Sequence, residues 1–292
     1  ANKRAIVQIR KTNAGENNNG TGGDITDDTV TYNLELEVQQ NTPNSLFTPA
    51  PLEGRDLSAV IADDATTGVD LTNVILISDA IPADTVLNAA PNPPADWIPV
   101  YSIDTDADPG DEISWTTQAP VDLTTVTRVG FIYDAENNGA IANDGVPITG
   151  FSFTVNIDVG GTPSSLSIAN IAQVFGTTDD EATGATDGAP VFDESGDSNP
   201  SNFNDDGSVG PDEDDPESDG IADPANHQVD GDNDNTGQGP SGEDNVIALA
   251  IDGAILNGPD NAPAGTGTLF GVGPDNNHDF QNKSVPTPAD TT

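Results

Sequence analysis

Apolar and polar residues alternate with a period of two from Val30 to Val38, as they do in a β-strand that buries one face. Nowhere does the sequence show the 3.6-residue spacing of an amphipathic helix. Similar short runs, rich in Val, Ile, Thr and Phe and bounded by turn residues, lie at residues 5–10, 71–77, 98–103, 126–133, 148–157, 166–175 and 245–251. About eight strands without connecting helices predict an all-β fold, built as an antiparallel β-sandwich.

The acidic residues are concentrated in one segment that cannot form a core. The sequence has 50 Asp or Glu against 7 Lys or Arg, a net charge of −43. Residues 177–244 contain 21 of these acidic residues, no Lys or Arg, and only six Val, Ile, Leu or Phe. Ordering a chain costs roughly 1 to 2 kcal/mol per residue, which so few apolar side chains cannot offset. We therefore interpret residues 177–244 as a long acidic loop insertion that becomes ordered by binding cations.

The composition also excludes several classes of partner. Nucleic acid and anionic membrane surfaces need a cationic face, so the net charge of −43 argues against both. The chain has no apolar run of about 18 residues, which argues against membrane insertion. Without Cys it has no disulfide and no thiolate metal site. We expect Ala1 to be the start of a mature secreted chain, cleaved behind a small residue, and therefore an extracellular or cell-surface location.

Composition divides the chain into segments: a basic N-terminal strand (1–12), a β-sandwich body (13–176), the acidic insertion (177–244), a final strand (245–251) and an extended C-terminal tail (252–292). The first of these segments carries four basic residues and no acidic one. Two partners are open to it. The strand can pair within its own sheet, or it can be donated to the sheet edge of a neighbouring subunit, where backbone hydrogen bonds would supply the affinity.

Acidic residues at alternating positions predict calcium sites in the loops. Ca²⁺ takes roughly six to eight oxygen ligands, and a Gly at the sixth position of a loop permits the sharp turn. The most specific motif runs from Asp215 to Asp223 with Gly220 at that position, and its candidate ligands are Asp215, Glu217, Asp219, Asp223 and the carbonyl of Ile221. The two His and the missing Cys disfavour zinc.

Other clusters show the same alternation less completely. Their candidate ligands are Asp230, Asp232 and Asp234; Asp104, Asp106, Asp108 and Asp111; Asp134, Glu136 and Asn138; and Asp193, Asp197 and Asp206. We predict that several Ca²⁺ ions are bound. The alternative for every cluster is an acidic, solvated surface that keeps the protein soluble.

Several segments of the body resemble a known family. They are Lys11-Thr12 before a Gly-rich turn, Val30-Thr31-Tyr32, Leu71-Thr72-Asn73-Val74 leading to Asp79-Ala80-Ile81-Pro82, and Ile168–Val174. Together they resemble the immunoglobulin-like conserved repeat, a domain of unknown function, of large secreted bacterial and especially cyanobacterial surface proteins. The resemblance covers residues 5–251, apart from the long acidic insertion. It implies an immunoglobulin-like sandwich that serves as a structural module on the cell surface.

The sequence also contains a residue pair for one covalent crosslink. Surface sandwiches of pili can form an isopeptide bond between Lys and Asn side chains, promoted by a buried acid. Lys11 near the first strand and Asn170 near a late strand suit that geometry. The alternative is a Lys on the surface and a hydrogen-bonded Asn in the core.

These features together predict a structural function and not an enzymatic one. Chance carboxylate pairs are inevitable among 50 acids, and no nucleophile elbow, phosphate-binding loop or His-based dyad is present, so we predict that the protein is not an enzyme. We predict a structural subunit of a secreted, calcium-stabilised fibre or surface layer, assembled head-to-tail with copies of itself through the N-terminal strand. The alternative is a calcium-dependent adhesion module for a polysaccharide or another cell-surface partner. An exposed aromatic platform would favour it, but the strand context of Trp97 and Trp115 predicts that both pack in the core.

Overall fold

The computed structural model describes residues 2–19, 24–41, 47–63, 65–105, 113–179, 188–195 and 246–251. Apart from residue 251, they belong to the unit Ala1–Ala250. The strands are β1 (Asn2–Arg4), β2 (Val7–Asn17), β3 (Thr29–Val38), β4 (Phe47–Pro49), β5 (Leu52–Glu53), β6 (Ile61–Ala62), β7 (Val74–Ala80), β8 (Thr85–Leu87), β9 (Trp97–Ser102), β10 (Trp115–Thr116), β11 (Arg128–Asp134), β12 (Ile148–Ile157), β13 (Ser165–Ala169), β14 (Ala172–Thr178), β15 (Pro190–Glu194) and β16 (Val246–Ala250). One short helix, α1 (Ala135–Asn138), and a 3₁₀ turn at Leu123–Thr125 complete the described elements.

Two sheets face each other across the core. The smaller sheet has four strands in the order β2-β3-β12-β8. The larger sheet has eight, in the order β15-β14-β7-β11-β9-β10-β6, with β5 beside β14. Strands β13 and β16 form a separate antiparallel pair. Among the described strands, β1–β4 and β6–β10 pair in parallel and the other ladders are antiparallel. The predicted all-β, antiparallel sandwich is confirmed.

The alternation that predicted β3 is visible in its burial. Val30, Tyr32, Leu34, Leu36 and Val38 are all buried, and the residues between them are partly or fully exposed. Strand β7 differs, because all seven of its residues are buried. One face of β7 meets the smaller sheet, and the other is covered by residues that include Leu57, Ile61 and Trp115.

The N-terminal strand pairs within its own chain. Strand β2 runs antiparallel to β3, with a register that begins at Val7↔Val38 and shifts once near Gly15. Amides in and just before β2 also donate to side chains of the larger sheet: that of Ala5 to Thr178 Oγ1 at 3.1 Å, and that of Ile9 to Asp193 Oδ2 at 2.7 Å. In the structure of the single chain β2 pairs in cis, and donation of this strand to a neighbouring subunit stays a prediction.

The acidic insertion begins later than the sequence prediction placed it. Residues 177 and 178 complete β14, and β15 lies inside the predicted loop because Val191 and Phe192 are buried in the larger sheet. The signal for β15 was this apolar pair, which the low apolar content of the whole segment concealed. Residues 196–245 and 252–292 lie outside the described residues, and the rest of the predicted insertion and the tail fall there. Strand β16 lies within residues 245–251, where the sequence analysis placed the final strand.

Candidate functional site

A lysine is completely buried between the two sheets. Strand β2 presents alternate residues to the core, and Lys11 continues the inward series after Val7 and Ile9. All three side chains are 0% exposed. An ammonium group transferred from water to a protein interior costs several kcal/mol unless it is paired. The position of Lys11 therefore requires a counter-charge nearby.

Asp79 supplies that charge from the opposite sheet. It follows Ile75 and Ile77 on the inward face of β7, and its side chain is also 0% exposed. Lys11 Nζ donates to Asp79 Oδ2 in a short, charged hydrogen bond. The ion pair thus connects an edge strand of the smaller sheet to a central strand of the larger one.

Two aromatic rings surround the ammonium group. Lys11 Nζ lies 4.4 Å from the centroid of the Tyr32 ring and 5.0 Å from that of Phe153. The two rings pack against each other with centroids 5.2 Å apart. Such cation–π contacts are stronger in a desolvated site than on a surface. They also hold the position of Nζ, because both rings are fixed by neighbouring strands.

Asn170 completes the cluster from the loop between β13 and β14. It precedes by two residues Ala172, which pairs with Asp79 in the β14–β7 ladder. Asn170 is 0% exposed, yet neither its Nδ2 nor its Oδ1 makes a hydrogen bond of good geometry. The same holds for Asp79 Oδ1 and Tyr32 Oη. Native proteins leave few buried polar atoms in this condition, so four of them in one cluster need a physical explanation.

The pKa of Asp79 is shifted toward neutrality. Burial raises it to about 6, although Lys11, hydrogen bonding by Asn170 and the charge of Arg128 each lower it. Burial also raises the pKa of Tyr32, and hydrogen bonding by Asn170 opposes that rise. The amide of Asn170 is therefore close to both groups. A carboxyl group with a pKa near the ambient pH is suited to accept a proton and return it.

The cluster brings together the three parts of an amide-forming reaction. Lys11 carries a nitrogen nucleophile, Asp79 can hold its proton, and Asn170 presents a carboxamide carbon. Because all three side chains are shielded from solvent, water does not compete with the amine. The alternative of a surface Lys is wrong, because Lys11 is buried, whereas the Asn of that alternative does lie in the core.

From the sequence we paired Lys11 with Asn170, but we did not identify the buried acid that would promote their reaction. A signal for Asp79 was present in its strand, because the alternation that buries Ile75 and Ile77 also places Asp79 on the inward face. Continuation of the Val7–Ile9 alternation likewise places Lys11 inside. The meeting of the two across the sheets depends on tertiary packing, which neither strand reveals by itself.

The described candidate calcium ligands do not come together. Asp134 caps α1 by accepting from the Asn137 amide at 2.9 Å, and it also accepts from the Asp70 amide at 2.8 Å. Asp193 accepts from β2, as described above, and Asp104 is partly exposed at the end of β9. Glu136 and Asn138 are exposed on α1, where Asn138 Nδ2 donates to the carbonyl of Asp134.

Within the described ranges, no three acidic or histidine side chains form a group that could hold a metal ion. The remaining candidate ligands lie outside those ranges: Asp106, Asp108, Asp111, Asp197, Asp206, Asp215, Glu217, Asp219, Ile221, Asp223, Asp230, Asp232 and Asp234. Calcium binding therefore stays a prediction. Trp97 and Trp115 are 5% and 3% exposed, so both pack in the core and neither forms a surface platform.

The chain belongs to a family described as "Domain of unknown function (DUF7925)", whose model matches residues 6–203. The match includes Lys11, Asp79 and Asn170. The resemblance to repeats of secreted cyanobacterial surface proteins stays a prediction. No curated protein matches the chain. In the described part of the chain, no helix is long and apolar enough to cross a membrane.

Several solved structures show a distant similarity. The full-length major pilin SpaD from Corynebacterium diphtheriae is 13% identical with a TM-score of 0.30, and the match covers 65% of this chain and 33% of that one. The T6 backbone pilin of serotype M6 Streptococcus pyogenes is 11% identical with a TM-score of 0.30, covering 64% and 34%. Domains D2 and D3 of SpaD are 15% identical with a TM-score of 0.27, covering 64% and 50%. The chain thus spans about a third of the first two proteins, and at these TM-scores no conclusion about it rests on them.

Proposed function

We propose that the protein is a structural module of an extracellular fibre or surface layer, and that its sandwich is crosslinked by an isopeptide bond between Lys11 and Asn170. The observation that carries this proposal is the buried cluster of Lys11, Asp79 and Asn170. Burial of a lysine and of an amide without hydrogen bonds of good geometry is costly for a fold that needs only stability. The cost is understandable if the two side chains react with each other.

The reaction needs no external reagent. One proton of the Lys11 ammonium passes to Asp79, and the lone pair of Nζ forms a bond to Cγ of Asn170. Asp79 then donates its proton to the departing Nδ2, the Cγ–Nδ2 bond breaks, and ammonia leaves. Asp79 takes the remaining excess proton from Nζ. The products are a neutral amide, ammonia and a protonated Asp79, which loses its proton to the released ammonia or to water.

This chemistry favours a structural role over catalysis of an external substrate. The group that reacts is consumed once, and the bond connects β2 of the smaller sheet to the β13–β14 loop. A closed covalent loop of more than 100 residues removes roughly 5 kcal/mol of conformational entropy from the unfolded chain. Opening of the sandwich at the crosslink would also require a covalent bond to break, as suits a protein under mechanical load.

Mass spectrometry tests the bond directly. The intact wild-type protein is expected to weigh one ammonia less than its sequence, and a proteolytic digest is expected to contain a branched peptide joining Lys11 to Asn170. Lys11→Met, Asn170→Ala and Asp79→Ala are expected to keep the full sequence mass. Lys3→Met, which changes an exposed lysine, is the matched control and should still lose ammonia. A folded wild-type protein that retains its full mass after prolonged incubation would overturn the proposal.

Head-to-tail assembly and calcium stabilisation are further parts of the proposal. The alternating acids outside the described residues support calcium binding, and Lys3, which is exposed near the start of the basic strip, supports head-to-tail assembly. An isopeptide bond at Lys11 would hold β2 in its own sheet, so strand donation and the crosslink exclude each other within one molecule. Electron microscopy of wild type and Lys11→Met, each with and without a chelator, separates these cases, because only Lys11→Met leaves β2 without the covalent bond. Assemblies that resist the chelator with unchanged melting would argue against calcium.

A further inference from the structure

Tyr32 contacts the candidate reaction site with two different parts of its side chain. It lies on β3, beside β2, and is fully buried. Its ring is the nearer of the two that surround Lys11 Nζ. Its hydroxyl group lies in the region of the Asn170 amide, and Oη has no hydrogen bond of good geometry. The ring therefore faces the nucleophile, and the hydroxyl lies near the group that is attacked.

Packing alone does not account for that hydroxyl. Phe153, the neighbouring residue in the same cluster, presents a similar ring to Lys11 without a polar atom. A phenylalanine at position 32 would keep the same contacts and would avoid burial of an unsatisfied polar group. The hydroxyl oxygen thus destabilises the folded state, and this cost is explained if the hydroxyl gains a hydrogen-bond acceptor during the reaction.

The reaction creates such a partner. When Nζ bonds to Cγ of Asn170, an electron pair of the carbonyl double bond moves onto Oδ1, which becomes negatively charged. We propose that Tyr32 is a catalytic residue of the crosslinking reaction, whose hydroxyl group donates a hydrogen bond to Asn170 Oδ1 as this charge develops. The inference rests on the proposed function, because it assigns a role within the same reaction.

The division of labour between Tyr32 and Asp79 follows from the chemistry of each group. Burial raises the pKa of the Tyr32 phenol, so the hydroxyl keeps its proton and acts as a donor. The Asp79 carboxyl exchanges its proton and serves the departing nitrogen. A half-turn of the Asn170 amide exchanges its oxygen and nitrogen, so the amide can present Oδ1 to Tyr32 and Nδ2 to Asp79. When the carbonyl reforms and ammonia leaves, Tyr32 is unchanged.

The test is the rate of ammonia loss by the full chain. Protein purified in denaturant before it reacts is refolded by dilution, and intact mass is recorded over time. Tyr32→Phe keeps the ring and removes the hydroxyl, and it should slow crosslinking on the order of a hundredfold, as loss of one oxyanion donor does in enzymes. The matched control is Tyr101→Phe, which removes a hydroxyl from another buried tyrosine of the same hydrophobic cluster and should react at the wild-type rate.

A second measurement separates catalysis from folding. Fluorotyrosine at position 32 has nearly the same shape and a more acidic hydroxyl, so it should react faster than tyrosine. A melting temperature of Tyr32→Phe with Asn170→Ala that equals or exceeds that of Asn170→Ala alone would show that slower crosslinking does not come from lost stability. If wild type and Tyr32→Phe react equally fast, or if fluorination has no effect on the rate, the role of Tyr32 is overturned while the crosslink stands. If wild type itself never loses ammonia, both proposals fail.

Discussion

Two adjacent layers of the same core differ in what their inward positions carry. In the apolar layer, β2, β7 and β12 contribute Ile9, Ile77 and Phe151. Two residues further along each strand, the polar layer has Lys11, Asp79 and Phe153, together with Tyr32 and Asn170. The backbone geometry that buries the first set buries the second as well. The position of a residue along its strand therefore determines whether its side chain is buried. The chemical nature of that side chain indicates whether it serves stability or reaction.

Loss of the covalent bond should lower the free energy of unfolding more than any other change to the two layers. Asn170→Ala removes the carboxamide, and the free energy of unfolding should fall by roughly 5 kcal/mol because the closed loop is lost. Denaturant unfolding followed by fluorescence of the two buried Trp measures this difference. Asn92→Ala, at an exposed asparagine, is the control and should change stability little. Equal stability of wild type and Asn170→Ala would contradict the presence of a crosslink.

The apolar layer should affect stability without affecting chemistry. Phe151 packs against Trp97 and Phe131, with ring centroids 4.8 and 5.2 Å apart. Phe151→Ala should therefore cost about 3 to 5 kcal/mol of unfolding free energy. The folded fraction should still lose ammonia, as seen by intact mass. A folded Phe151→Ala protein that does not crosslink would show that the two layers are not separable in this way.

Sequence alternation was sufficient to predict much of this architecture. The period of two in β3 gave its buried face correctly, and the short Val- and Ile-rich runs predicted most of the longer strands. Strand β15 was missed because its two apolar residues stand among acids that dominate the composition of residues 177–244. Asp79 was not assigned because the role of an acid in an apolar strand depends on the group with which it pairs. That partner lies 68 positions away, on another sheet.

The ion pair itself should behave differently from the apolar layer when the crosslink is absent. In an Asn170→Ala background, Lys11→Met leaves Asp79 buried without its counter-charge and should cost about 3 to 5 kcal/mol. Adding Asp79→Leu removes the second charge, and the double substitution should recover most of that loss. Denaturant unfolding of the single and double variants gives the coupling energy. Additive losses would mean that the two side chains are not paired.

The smallest expected effect is the pH dependence of stability from Asp79. Its folded-state pKa of about 6 lies above the ordinary value of 3.8, so the folded protein binds a proton more tightly than the unfolded chain. This group therefore stabilises the fold most below pH 3.8, and that contribution is lost as the pH rises through about 6. The free energy of unfolding of Asn170→Ala, measured between these limits, should fall with pH relative to the same protein carrying Asp79→Asn. Acids such as Asp24 and Asp70, whose pKa values are lowered by hydrogen bonds from Thr26 and Thr72, contribute with the opposite sign. Both proteins share these acids, so their contribution cancels. If the difference in unfolding free energy between the two proteins stays constant with pH, the pKa of Asp79 lies in its ordinary range.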